Sequence, residues 1–192
     1  MKVSGNAILL TNGKFDTKSA KTAHGLIRGS KRFTIKSVID DKFHAKYVHI
    51  NKHGNISMSN TKSNIPVFKN VESFLATGID VNYCIIGVAS AGGILPKEMR
   101  NDVILALNNN ISIVNGLHSI LSHDSQLKKI ADNNNVKIYD VRVSKSRDQL
   151  SFWSGKIYDV KSPKIVVLGT DCGLGKRTTA KLVVEILEKN KI

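Results

Sequence analysis

The chain has 192 residues, 41% of them hydrophobic and 23% charged, which is ample material for one α/β core but too little length for two complete domains. Its longest apolar runs, Tyr83 to Ala89 and Ile165 to Leu168, fall far short of the ~20 residues that a membrane-crossing helix needs, and residues 1–6 lack a signal-peptide shape, so no membrane partner is expected. The net charge of +14 comes from 29 basic residues of which only 6 are Arg, without the Arg forks, aromatic platforms or basic helical stripe of nucleic-acid recognition, so nucleic acid is not expected as a partner either.

Taken in chain order, short apolar runs alternate with helical patterns, the arrangement that builds a doubly wound parallel sheet with crossover helices. Ala7 to Leu10 reads as a buried strand, Ser19 to Arg28 as a helix and Phe33 to Ile39 as a second strand. Residues 41–64 are polar and read as a surface excursion with at most a weak hairpin. Pro66 keeps Ile65 to Phe68 extended, Asn70 caps a helix to about Ala76, and Gly78 ends it. Tyr83 to Ala89 is the clearest buried strand. A turn through Gly92 and Gly93 leads to Pro96, which opens a helix carrying Met99, Val103, Ile104 and Leu107 on one side. Ile111 to Val114, a helical turn over Gly116 to Leu121, a helix over Ser125 to Asn133 and a strand over Val136 to Val141 complete a five-strand, Rossmann-like domain placed at residues 1–150.

Residues 151–162 read as a linker, and residues 163–192 as the start of a P-loop domain. Lys164 to Leu168 is expected as a buried strand, and Leu182, Val183, Ile186 and Leu187 as one face of a helix. Between them stands GTDCGLGKRTT, Gly169 to Thr179. Strand, glycine-bearing loop and helix is the order in which backbone N–H groups and a helix N-terminus hold phosphate oxygens, with a lysine ammonium as a point charge. The phosphate-binding candidates are Gly169, Thr170, Gly173, Gly175, Lys176, Arg177, Thr178 and Thr179. Arg177 takes the place where a magnesium-binding hydroxyl usually stands, so metal coordination stays open. One strand and one helix are fewer than a P-loop domain uses, so the chain reads as truncated and is not expected to hydrolyse nucleotide alone.

The two cysteines, Cys84 and Cys172, form neither a CxxC pair nor a disulfide framework, and a reducing, cytoplasmic setting is expected. The first 62 residues carry 12 Lys or Arg against Asp16, Asp40 and Asp41, an excess that would draw in a small anionic ligand. The first strand is followed by a single glycine, Gly13, where a dinucleotide fold uses GxGxxG, which disfavours NAD. Asp40, at the end of the second strand, could meet a ribose or be a solvated loop aspartate.

The segments AKTAHGLIRG (Ala20 to Gly29), IIGVASAGG (Ile85 to Gly93), Asn115-Gly116-Leu117-His118 and GTDCGLGKRTTA together resemble a bacterial and archaeal family. It pairs a Rossmann-like N-terminal domain with a P-loop C-terminal domain. Many members are labelled as a domain of unknown function or as NAD-dependent epimerase/dehydratase proteins, and some are D-glutamate N-acetyltransferases. The loop also looks like that of dethiobiotin synthetase. The resemblance implies transfer of acetyl from acetyl-CoA to the amino group of D-glutamate, with His24, which could accept a proton, and His118 as candidate catalytic residues. Lys21, Arg28, Gly92 and Gly93 are the candidates for holding the anionic amino acid. The P-loop would hold the phosphates of acetyl-CoA or ATP. A non-catalytic nucleotide-binding or assembly module, an NAD-dependent protein and a homo-oligomer remain open alternatives.

Overall fold

The computed structural model describes residues 3–171 and 174–191. They divide into an N-terminal unit, Met1–Ser144, and a C-terminal unit, Lys145–Ile192.

The N-terminal unit is built on an eight-stranded sheet. Its elements in chain order are β1 (Gly5–Leu10), α1 (Lys21–Arg28), β2 (Phe33–Ile39), β3 (Tyr47–Ile50), β4 (Ile56–Ser59), β5 (Ile65–Phe68), α2 (Val71–Leu75), β6 (Tyr83–Ile86), α3 (Lys97–Asn108), β7 (Ser112–Asn115), α4 (Ser125–Asn133) and β8 (Ile138–Asp140). Across the sheet the strands run β4-β3-β5-β2-β1-β6-β7-β8. From β5 to β8 every pairing is parallel, whereas β3 and β4 form an antiparallel hairpin that joins β5 at one edge.

The central strand explains the run of apolar residues that encodes it. Ala7, Ile8, Leu9 and Leu10 are all fully buried, because a parallel strand covered on both faces exposes neither set of alternate side chains. Parallel crossovers are right-handed as a rule, which puts α1, leading from β1 to β2, and α2, α3 and α4, leading the opposite way along the sheet, on opposite faces; α3 packs against both α2 and α4. Met99, Val103 and Leu107 of α3 are fully buried at the spacing expected of its inner stripe. Local caps set the helix limits: Asn70 Oδ1 accepts from Ser73 N at 2.9 Å in a capping box, and Asp124 Oδ1 accepts from Gln126 N and Leu127 N.

Three expectations need correction here. The polar excursion does form a hairpin, but not a mere surface one: Val48 joins the core, Met58 packs against it, and β3 pairs with β5. The apolar run from Tyr83 is a strand only to Ile86; Gly87 and Val88 stay buried but turn towards α1. The turn expected over Gly116 to Leu121 forms instead at Leu121–His123, because Asp140 captures the N–H groups of Leu121 and Ser122.

The C-terminal unit contains one long helix, α5 (Lys176–Lys189), after two single-turn helices at Arg147–Gln149 and Lys156–Asp159. Trp153 and Tyr158 meet edge to face, 5.9 Å between centroids, across a turn in which Gly155 has φ 73°. Lys164 to Leu168, expected as a buried strand, pairs with no strand among the described residues and is exposed, Val166 at 72% and Leu168 at 83%. A strand takes its hydrogen bonds from a neighbour, whereas a helix takes them from itself, so the helix half of the motif forms and the strand half does not. On α5, Val183 and Leu187 are half-buried while Leu182 and Ile186 are exposed.

Candidate functional site

In the N-terminal unit the chain moves outward from β1 to β2 and β5, then returns to β6 on the other side of β1. The carboxyl ends of β1 and β6 therefore flank the switch point where open α/β sheets hold their ligands. Gly87 closes the floor of this crevice. Its N–H donates to Leu10 O at 2.9 Å, its carbonyl accepts from Ala23 N at 3.0 Å, and a Cβ there would lie 2.9 Å from Ala23 Cβ. Ala89 N donates to Ser19 O at 2.8 Å, so the start of α1 is fastened to the strand-end loop of β6.

Asp40 is fully buried and braces the loop after β1. Oδ2 accepts from Thr11 Oγ1 at 2.7 Å and from Phe15 N at 3.1 Å, and Oδ1 accepts from Lys42 N at 3.2 Å. Both carboxylate oxygens are engaged, so Asp40 is neither the ribose acceptor nor the solvated loop residue that its position suggested. Asn12, held at φ 40°, inserts Nδ2 towards Glu98 O at 3.4 Å on α3.

The candidates on α1 separate by position. His24 is half-buried and lies edge-on to Phe15, 4.9 Å between ring centroids. Its Nε2 lies 2.7 Å from Phe15 O. A carbonyl only accepts, so Nε2 carries the proton and the lone pair of the neutral ring is on Nδ1. Burial depresses the imidazole pKa, opposed by the bond to Phe15 O and reinforced by the Arg28 charge, leaving His24 neutral at physiological pH. Lys21 is exposed on the first turn. Arg28 stands two turns further along, about 10 Å away at 1.5 Å per residue, and donates Nε to Gly54 O at 2.9 Å in the β3–β4 turn.

Gly92 and Gly93 both have φ 66°. Gly93 N closes the turn on Ser90 O at 3.0 Å, and Gly93 O accepts from Ser119 N at 2.9 Å. That leaves the N–H of Gly92, not that of Gly93, to meet an anion. A Cβ on Gly93 would lie 2.7 Å from His118 Cβ, so this glycine seats His118 against the loop after β6. Arg142, just beyond β8, lies with Nη1 3.1 Å from His118 Nε2.

Residues that sequence reading missed hold this arrangement. Asp140 Oδ1 accepts from Asn115 Nδ2 at 2.6 Å and from Leu121 N at 2.9 Å, and Oδ2 accepts from Ser122 N at 2.9 Å. Burial opposes ionisation of Asp140, but these bonds outweigh it and hold its pKa below the usual carboxylate value. Asn115, fully buried, also donates to Ser119 O at 2.7 Å and accepts from Leu117 N at 2.9 Å. An acidic residue ending a strand and an Asn-Gly pair ending its neighbour were the available signals. A groove of about 580 Å³ lies beside α4 and β8, lined by Ser122, Lys128 and Tyr139, and contains none of the sequence candidates. Cys84 lies inside β6, where burial pushes its thiol up to about 12 and Asp102 adds to the effect, which makes it inert.

In the C-terminal unit Gly175 precedes α5 with φ 87° and ψ 10°, and no side chain caps the helix. Lys176 folds over the loop: Nζ donates to Asp171 O, and a Cβ at Gly169 would lie 3.2 Å from Lys176 Cγ and Cδ. Thr170, Arg177, Thr178 and Thr179 are exposed around it. Gly173 and Cys172 lie outside the described residues. A guanidinium at position 177 cannot replace a metal-binding hydroxyl, so the donor set does not fit magnesium there. Among the described residues no three His, Cys, Asp or Glu side chains gather as a metal site, and no helix is long and apolar enough to cross a membrane.

Two family models match the chain. DUF1611_N, a domain of unknown function described as Rossmann-like, matches residues 51–144, and DUF1611_C, a P-loop domain, matches residues 151–192. The chain is 29% identical over 108 residues to a D-glutamate N-acetyltransferase of Pseudoalteromonas sp., covering 56% of this chain and 31% of that protein. A D-glutamate N-acetyltransferase of Tritonibacter scottomollicae is 28% identical over 96 residues, 50% of this chain and 28% of that one. Each match thus spans under a third of the curated relative. The crystal structure of a DUF1611 family protein from Anabaena variabilis superimposes with a TM-score of 0.80 at 24% identity, covering 97% of this chain and 51% of that one, and supports the fold.

Proposed function

Because the chain belongs to the DUF1611 family, whose Rossmann-like and P-loop models together span all but residues 1–50 and 145–150, we propose that it serves acetyl transfer to the amino group of D-glutamate. The likeness to two proteins named D-glutamate N-acetyltransferase carries the reading. In it, the strand ends of the N-terminal unit hold the amino acid and the loop before α5 holds the phosphates of acetyl-CoA.

The hydrogen-bond partners of the two histidines favour His24 as the base in this reading. Nδ1 of His24 carries a lone pair on a ring that burial keeps neutral, so it can take the proton that the substrate amine loses as the C–N bond forms, while the thioester C–S bond breaks and CoA leaves as a thiolate that takes up a proton. Lys21, exposed on the first turn of α1, meets a substrate carboxylate, whereas Arg28 is engaged with Gly54 O. The N–H of Gly92 is the donor offered to the developing oxyanion. In the C-terminal unit the uncapped N–H groups of α5 and the ammonium of Lys176 receive phosphate oxygens once Nζ leaves Asp171 O. Acetyl-CoA, when bound, supplies the acetyl thioester. ATP in the same loop is the second reading, since the loop addresses phosphate and not the group attached to it.

Calorimetric titration of the wild type and Lys176→Ala with acetyl-CoA, ATP, NAD and D-glutamate tests both, alongside mass spectrometry for N-acetyl-D-glutamate. Acetyl-CoA should bind the wild type and lose at least tenfold in the variant, with D-glutamate binding unchanged. Binding of NAD alone, or no acetylated product from a chain that binds both substrates, overturns the proposal.

A further inference from the structure

We propose that His118 and Arg142 form one carboxylate-binding pair, with Arg142 the specificity-determining residue for the acidic substrate and His118 its positioning partner, not a base. The inference deepens the acetyl-transfer reading and rests on it for the identity of the amino acid, but the chemistry of the pair follows from geometry alone.

A guanidinium has only donors. With Arg142 Nη1 3.1 Å from His118 Nε2, the imidazole accepts there and its proton sits on Nδ1. His118 therefore offers a further N–H and no lone pair, the reverse of His24, whose Nε2 donates and whose Nδ1 accepts. A base needs a lone pair facing substrate; a carboxylate needs donors and positive charge. His118 with Arg142 meets the second requirement.

The pair is also built from below. Three successive strand ends converge on it: the loop after β6 through Gly93, the loop after β7 through His118 and Ser119, and the turn after β8 through Arg142. Ser119 N is tied to Gly93 O at 2.9 Å, Val141 N to Asn115 O at 2.9 Å, and Asn115 Nδ2 to Asp140 Oδ1 at 2.6 Å. Both Asp140 oxygens are occupied by Asn115 and the N–H groups of Leu121 and Ser122, so this carboxylate, two residues from Arg142, is committed inward. Arg142 is exposed, and Nε and Nη2 make no hydrogen bond among the described residues. A planar guanidinium with two donors open to solvent matches the fork of a carboxylate.

The test is calorimetric titration of the chain with glutarate, a dicarboxylate without an amine, and with D-glutamate. Wild type, Arg142→Gln, His118→Gln, His118→Leu and Lys128→Gln are compared, the last as an equal loss of charge elsewhere on the unit. Arg142→Gln should weaken both ligands at least tenfold and Lys128→Gln less than twofold. His118→Gln, whose amide can still accept from Arg142, should retain more affinity than His118→Leu. Nitrogen NMR should find the His118 proton on Nδ1 in the wild type. Unchanged glutarate affinity in Arg142→Gln, no binding of either acid by the wild type, or a proton on Nε2 overturns the pair. If glutarate depends on Arg142 while no acetylated D-glutamate forms, the pair stands and the acetyl-transfer reading falls.

Discussion

The two units carry similar apolar residues and treat them in opposite ways. In the N-terminal unit Ile8, Leu9, Val38, Ile86 and Ile113 reach at most 1% exposure, because each lies on a strand with hydrogen-bonded neighbours and helices cover both faces. In the C-terminal unit Ile165, Val166 and Leu168 are comparable in type yet 66–83% exposed. Periodicity and β-propensity are therefore not sufficient for a strand; the backbone must find a partner, and the partner's layer must exclude water. The helix next to this segment, α5, forms because its hydrogen bonds are local.

The largest effect that would sharpen this contrast comes from one chemical change made in both units. Leu9→Ala should destabilise the N-terminal unit by about 2–5 kcal/mol through lost burial and a residual cavity, whereas Leu168→Ala should shift stability by less than about 0.5 kcal/mol. Denaturant melts followed by circular dichroism would read the difference, and equal losses would break the comparison. Next in size is Asp140→Asn, which removes charge-assisted bonds from Asn115, Leu121 and Ser122 and should cost about 1–3 kcal/mol at pH 7. The Asp140 pKa is lower folded than unfolded, so its contribution is complete above the unfolded value near 3.9 and disappears as pH falls through the folded one. Wild-type and variant melts should thus converge at acid pH; a constant gap would mean that packing, not the charge, is lost. The smallest effect lies on α5. Lys181 and Glu185 approach to 3.5 Å at an i,i+4 spacing with both side chains about half exposed, so Lys181→Ala should change stability by less than about 0.5 kcal/mol.

The strand ends show what could be read in advance and what could not. Gly93 and His118 were both recognisable as residues at strand termini, and His24 as a histidine in the first crossover. Their tautomers were not, because each is dictated by a partner distant in the chain: Phe15 O for His24, and Arg142 for His118, 24 residues away. Asp40 looked like a candidate for ribose until its oxygens were seen to be used by Thr11, Phe15 and Lys42. Arg28 looked equivalent to Lys21, but two helical turns separate them and the β3–β4 turn claims its guanidinium.

Sequence alone determined the elements whose information is local: the fully apolar central strands, the Asn70 cap, the inner stripe of α3, and the glycine-bearing turn before α5. Those follow from side-chain periodicity, capping hydrogen bonds and permitted backbone angles, all set within a few residues. Only the tertiary structure decided the docking of the edge hairpin on β5, the lack of a strand partner for Lys164 to Leu168 among the described residues, and which nitrogen of His24 and of His118 carries its proton. Each depends on groups brought close by folding, whose hydrogen bonds a linear pattern does not contain.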